Sequence, residues 1–151
     1  MIKKKFFYNE NEVLSSGILF YTIINSKKYI LLRKDNKKNK ECWSDIGGKC
    51  DFNDISIYDT ISRESLEETD NKILNLLKLK DKEELKEWLV KSKSKIFYNK
   101  YCKYLLFKIE LFNLDYKDIK VIHAENTVIS WIHYNKKRKL ILHPRLKRTY
   151  I

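Results

Sequence analysis

The sequence predicts an α/β fold, and three observations lead to it. Val13–Ile24 and Tyr29–Arg33 are runs rich in β-branched and aromatic residues, joined by the polar stretch Asn25-Ser26-Lys27-Lys28, which is the pattern of a β-hairpin. Ser56 stands ahead of a stretch with helical spacing that runs to about Thr69. After a second helical stretch, strand-like runs return at Ser94–Tyr98 and Tyr101–Leu111.

Taken in order, residues 1–11 form a basic, aromatic lead-in, and the predicted hairpin follows. Asp35 to Glu41 reads as a polar loop. Trp43-Ser44-Asp45-Ile46 reads as a short strand that delivers the chain to Gly47-Gly48, with Trp43 assigned to the core. Ser56 with Asp59 three residues on reads as a capping box with a shortened acid. In the helix it opens, Ile57, Ile61 and Leu66 are expected to face the core, with the small Ser65 tolerated among them. Ile73–Leu77 is apolar and expected to pack. Asp81–Val90 places Leu85, Trp88 and Leu89 on one helical face, and its mixed charges mark a solvated outer side. Lysines alternate with tyrosines through the two later strands, which suits either a nucleotide-facing surface or a lysine-rich outer face. Glu125 precedes a strand around Trp131, and nearby His123 is read as structural.

With 43% hydrophobic residues over 151 positions the chain can bury a core, which excludes a disordered protein and suits one domain spanning 1–151. No apolar run approaches a membrane span, and Met1–Lys5 leads into no signal-peptide core, so a soluble, intracellular, cytoplasmic protein is expected. Cys42, Cys50 and Cys102 form no C-x-x-C pair and read as free thiols. Thirty-two basic against 20 acidic residues leave a net charge of +12, which draws polyanions such as nucleotides, RNA or inositol phosphates. Richness in Lys, Asn and Ile with three Gly and one Pro is also what an A+T-rich coding sequence produces. The basic segment from about 134 to 151, with Lys136-Lys137-Arg138-Lys139 and then Arg145, Lys147 and Arg148, is the best electrostatic candidate for contact with a polyanionic partner, RNA among them.

Against that basic background, Glu64, Glu67 and Glu68 fall at i, i+3 and i+4 on one helix stripe. Carboxylates so close repel, and a divalent cation relieves the repulsion; all-oxygen ligands favour Mg²⁺ or Mn²⁺ over zinc. Gly47-Gly48 ahead of the helix is read as a turn whose backbone approaches a ligand closely, leaving a carbonyl to join the metal shell. Arg63 can pair with Glu67 one turn on and hold the glutamates in place. Loop, helix and carboxylates together describe a site for a metal-bound phosphate.

Gly48, five residues, Asp54, then Arg63-Glu64-Ser65-Leu66-Glu67-Glu68 resembles the box of the Nudix hydrolases, G-x5-E-x7-R-E-U-x-E-E-x-G-U with U aliphatic. The sequence departs from that pattern in four ways. Asp54 stands for the first Glu, eight residues rather than seven precede Arg63, Ser65 replaces an aliphatic residue, and Asp70 replaces the last Gly. Ser56 to Arg63 keeps the expected spacing, which puts the extra residue in the loop before the cap, where insertions are tolerated. Asp also tolerates the left-handed conformation that ends many helices.

The resemblance implies an α/β/α sandwich with a mixed β-sheet between helices, and hydrolysis of a diphosphate linked to another moiety, usually a nucleoside. It implies a metal shell of Glu64, Glu67, Glu68 and the Gly47 carbonyl, with Glu64 or Glu125 as the base and Arg63 in support. Lys49 is then placed to neutralise a leaving phosphate, and Arg33 either reaches a substrate phosphate or stands as a surface charge. A nucleoside-diphosphate derivative ranks first as substrate, with the RNA 5′ cap close behind and a diphosphoinositol polyphosphate also suiting the charge. The alternative is a Nudix-fold module that binds nucleotide or RNA without cleaving it.

Overall fold

The structure is a computed structural model and describes residues 3–35 and 41–147. Most of the expected loop between Asp35 and Glu41, the first two residues, and the tail from Arg148 on lie outside the described residues, as does the side chain of Lys147.

The fold is mixed α/β, as expected. A small ribbon pairs β1 (Phe6–Tyr8) with β2 (Asn11–Val13). The main sheet is built on β3 (Ser15–Ile24), whose neighbours are β4 (Lys27–Asp35), β6 (Ile46–Lys49) and β8 (Tyr104–Glu110). Asn25 and Ser26 both have positive φ, 49° and 64°, so the β3–β4 turn is a two-residue hairpin turn and Lys27 and Lys28 already belong to β4. Beyond β8 lies β7 (Ser94–Asn99), antiparallel to it, whereas β3 and β8 run parallel, which makes the sheet mixed. On its far edge β4 pairs with β10 (Thr127–His133), which carries β9 (Val121–His123); on the edge facing β3, beyond the β3 pairing, β4 takes β5 (Cys42–Ser44), which carries β11 (Ile141–Leu142).

Alternation along these strands sends side chains to two faces. Ile18, Phe20, Leu31, Leu105, Phe107 and Ile109 face α1 (Ile57–Glu68), α2 (Lys72–Leu77) and α3 (Lys82–Lys91), and with Ile61, Ile73, Leu85 and Leu89 they form the larger core. Leu19, Ile30, Leu32, Tyr104 and Leu106 face the other way. The chain's last described stretch covers them, namely a 3₁₀ turn over Tyr134–Lys139, β11, and the short α4 (Pro144–Lys147), whose Leu146 is buried. The sandwich is therefore asymmetric, with three helices on one face and a thin C-terminal wrap on the other.

Helix α1 starts as its sequence predicts. Ser56 is the N-cap, and the Asp59 carboxylate accepts from the backbone N–H of Ser56 and of Ile55, each at 2.9 Å. Lys86 of α3 pairs with the other oxygen of Asp59 at 2.7 Å, which fastens the two helices together. After the C-cap at Thr69, Asp70 takes the left-handed conformation, φ 48°, that its side chain makes tolerable. The three cysteines are free thiols, and no described helix is long and apolar enough to cross a membrane.

Candidate active site

The site sits where the sheet splits. Along its first half β3 pairs with β6, along its second half with β4, so β4 leaves β3 beyond Ile30 and takes β5 at its edge instead. Arg33 of β4 and Gly47 of β6 flank the opening, and the last turns of α1 lie against it.

Gly47 and Gly48 correct the expectation of a turn. They lie in β6, opposite Gly17 and Ser16, and none of the three glycines has a positive φ. What they supply is close approach. A Cβ on Gly48 would land on the Glu64 carboxyl group, and one on Gly47 would collide with the Gly17 backbone and the Tyr104 hydroxyl. The Gly47 N–H donates to Glu68 Oε2 at 3.0 Å instead of joining the ladder. In a strand the carbonyl of such a residue points to the same edge as its N–H, which offers the Gly47 oxygen beside Glu68.

The glutamates divide by burial. The Glu64 and Glu68 side chains are only 15% and 19% exposed, whereas Glu67 is 62% exposed and touches Arg63 Nη1 at 3.5 Å. The expected crowding of all three carboxylates thus resolves into an inward pair at i, i+4 and one outward-turned member. Among the described residues no three Asp, Glu, His or Cys side chains are gathered closely enough to cage a metal ion by themselves. Burial raises the pKa of Glu64, with Arg63 opposing; it pushes Glu68 up to about 7, against the nearby Arg33 charge. A carboxylate pair desolvated to that degree gains from a cation. Mg²⁺ commonly takes one or two carboxylates and completes its shell with water and substrate phosphate oxygens, so this all-oxygen donor set fits the ion.

Arg63 does more than the predicted pairing with Glu67. Its guanidinium donates to Asp54 at 3.2 and 3.0 Å, to Glu64 at 2.9 Å and to the Lys49 carbonyl at 2.8 Å. Asp54, 3% exposed, also accepts from the Asp51 N–H and the Thr60 hydroxyl, each at 2.8 Å. Desolvation works to raise the Asp54 pKa, but Arg63 and these donors outweigh it and hold the carboxyl below its usual range. Asp54 is therefore a buried anchor that locks Arg63, and through it Glu64, to the loop before α1.

Arg33 is not a surface charge: it is 15% exposed, lines the cleft and is engaged by Glu68. Its Nη2 donates to Glu68 Oε1 at 3.2 Å, and its buried Nε lies 3.0 Å from Oε2 without the angle for a hydrogen bond. Lys49 is exposed at the end of β6. Glu125 is also exposed; its backbone N–H donates to Asp70 Oδ2 at 2.7 Å, which ties its loop to the C-terminal end of α1, two residues beyond Glu68. The structure thus brings Gly47, Gly48, Arg33, Arg63, Glu64 and Glu68 together, with Lys49 in the cleft lining, Glu67 exposed beside Arg63, and Glu125 tied by its backbone to the residue after the α1 C-cap.

One part of the site was missed from sequence. Arg145, assigned there to a polyanion-binding tail, is folded inward: its Nε lies 2.7 Å from Asp45 Oδ1, and its guanidinium stacks over the Tyr104 ring at 4.6 Å. Asp45 is wholly buried and also accepts from the Tyr104 hydroxyl in a short hydrogen bond. The available signal was Asp45 itself, an acid between Trp43 and Ile46 in a strand, which must find a cation once buried. Arg145, His143 and Pro144 then form one wall of a cleft of about 590 Å³ whose other lining includes Arg33, Ser44, Gly47, Gly48, Lys49 and Glu68. A cleft with the Glu68 carboxylate at one side and three cationic residues around it suits an anionic ligand held through a cation.

No protein-family model matches the chain, and a comparison with curated proteins finds no match. Among solved structures, the chain is similar to an Ap4A hydrolase of C. elegans in a binary complex, at 17% identity and TM-score 0.46, covering 85% of each chain. A second structure of the C. elegans Ap4A hydrolase is similar at 15% identity and TM-score 0.45, covering 85% of this chain and 86% of the other. Likeness at that level leaves the chemistry to this chain's own residues.

Proposed function

We propose that the chain, as one domain, is a Mg²⁺- or Mn²⁺-dependent hydrolase of the Nudix type that cleaves a diphosphate linked to another moiety. The observation that carries this reading is the burial of Glu64 and Glu68, one turn apart on α1, against Gly47 and Gly48 at the mouth of a cation-lined cleft. Glu64 and Glu68, with Glu67 and the Gly47 carbonyl, are the groups that would hold the ion. When bound, it neutralises diphosphate oxygens and lowers the pKa of water.

The chain's own residues supply the rest. Arg63, clamped by Asp54, donates to the Glu64 carboxylate, which lies over Gly48. Arg33 and the Gly47 N–H fix both oxygens of Glu68. Lys49 and the cationic wall at Arg145 favour a ligand with several negative charges in the cleft. Proton removal from the attacking water falls to Glu64 or to Glu125, whose loop is held at the end of α1. A nucleoside-diphosphate derivative fits the charge of the cleft, and the RNA 5′ cap is a capped-polymer version of the same chemistry, for which the basic surface of an intracellular protein would supply contacts.

The test is Mg²⁺-dependent product release from nucleoside triphosphates, dinucleoside polyphosphates, nucleotide sugars, diphosphoinositols and capped RNA. Release that disappears in Glu68→Gln supports the hydrolase. Silence across the panel, with tight metal-independent binding of one member, overturns it in favour of a binding module.

A further inference from the structure

A second charged cluster lies on the sheet face opposite α1. Lys108 of β8 follows Tyr104 and Leu106 at intervals of two, so its side chain shares their face, and it is 9% exposed. Its ammonium sits 5.1 Å from the centre of the Tyr21 ring. Lys28 bridges two rings, 5.0 Å from Tyr21 and 4.5 Å from Tyr134, and Lys137 lies 3.9 Å from Tyr134. Lys95 stands directly opposite Lys108 in the β7–β8 ladder. Like charges opposite one another in a sheet are destabilising. Among the described residues, Lys28, Lys95 and Lys108 form no ion pair with a carboxylate; Glu110, the nearest acid in the ladder, is opposite Tyr21 and engages its hydroxyl. An open cavity of about 390 Å³ lined by Tyr134, Asn135, Lys137 and Arg138 adjoins the group.

We propose that Lys28, Lys108 and Lys137, gathered around the rings of Tyr21 and Tyr134, and Lys95 opposite Lys108, form a binding site for a compact oligophosphate, separate from the carboxylate cleft. Four ammonium groups from three strands and the 3₁₀ turn converge on one small area, as a chelate of several phosphate oxygens requires, and lysine serves such ligands as a point charge. The cations lie over the tyrosine rings themselves, so those faces are taken and unavailable to stack bases. That favours a small, densely charged ligand over a nucleic-acid strand. Burial and then the neighbouring Lys28 push Lys108 down to about 7.

The experiment is calorimetric and thermal titration with inorganic tripolyphosphate, in EDTA so that no metal-held binding contributes at the cleft. The wild-type protein should bind and its Tm should rise. Lys28→Gln, at a partly exposed position, and Lys108→Met, which puts an apolar side chain at a buried one, should each weaken binding at least tenfold and remove most of the Tm rise, with unchanged circular dichroism. Because neither Lys28 nor Lys108 lines the carboxylate cleft, such losses are specific to this site. Wild-type affinity in both variants overturns the proposal. So does binding of a single-stranded oligouridylate that needs these lysines when tripolyphosphate does not bind.

Discussion

Asp54 and Glu68 illustrate how little a residue's type says until its partners are known. Both are largely buried carboxylates facing an arginine, yet Asp54 is held below its usual range and Glu68 well above. The difference lies in donors: Asp54 accepts from Arg63, the Asp51 N–H and the Thr60 hydroxyl, enough to offset its desolvation, whereas Glu68 has Arg33 and the Gly47 N–H and does not offset its own. The two acids should therefore fail differently. Asp54→Ala leaves several donors unpaired and should cost about 2–4 kcal/mol in urea denaturation, with activity falling through a displaced Arg63. Glu68→Gln keeps the shape and should cost little stability while lowering turnover on the order of 10²-fold or more, read from Mg²⁺-dependent product release. Comparable losses of stability in both would mean that Glu68 is there to hold Arg33.

At the scale of elements, the site depends on a strand and a helix approaching more closely than side chains normally allow. Gly48→Ala is the direct test, since its Cβ would occupy the place of the Glu64 carboxyl group at the backbone of β6. The end of a glutamate can swing aside, so the fold should lose about 1 kcal/mol or less, while kcat falls at least tenfold because Glu64 is displaced. A wild-type rate in a folded Gly48→Ala protein would sink the assignment of Glu64. This is also where the limits of the sequence are physical. The helix from Ser56 to Thr69 was legible because its cap, its apolar spacing and its acids are local, and the left-handed Asp70 followed from the same local chemistry. That Gly47-Gly48 is a strand was not legible, because its pairing with Ser16 and Gly17 comes from far up the chain and a glycine pair reads as a turn by default. The role of Asp54 was not legible for the same reason: nothing near it in sequence says that Arg63 will reach it rather than only Glu67.

Across the whole molecule, the positive charge is not spread as one polyanion-binding face. Part of it turns inward: Arg145 closes the chain onto Asp45 across 100 residues of sequence, carrying Leu146 into the second core. Arg145→Ala strands a wholly buried carboxylate and should lower stability by about 3–5 kcal/mol, a cost that Arg145→Ala with Asp45→Leu should partly recover. Sequence composition counted Arg145 with the tail because burial of one basic residue among 32 leaves no compositional trace. Lys108 is another inward cation, and its consequence is a pH dependence. In the unfolded chain it titrates near the ordinary lysine value of 10.5, and in the folded protein near 7, so between those limits the unfolded state binds the extra proton. Stability should therefore rise as pH increases from about 7 toward 10.5, and Lys108 should oppose folding most strongly below 7. The groups facing it are Lys28, Lys95 and Lys137, with Tyr21 and Glu110 beside them, and burial and then Glu110 shift Tyr21 upward from its ordinary value. Urea midpoints measured at intervals from pH 6.5 to 9.5 should climb in the wild-type protein and climb less in Lys108→Met. Parallel curves for the two proteins would show that Lys108 is charged in the fold at neutral pH, and that its neighbours are farther from it in solution than the ring contacts place them.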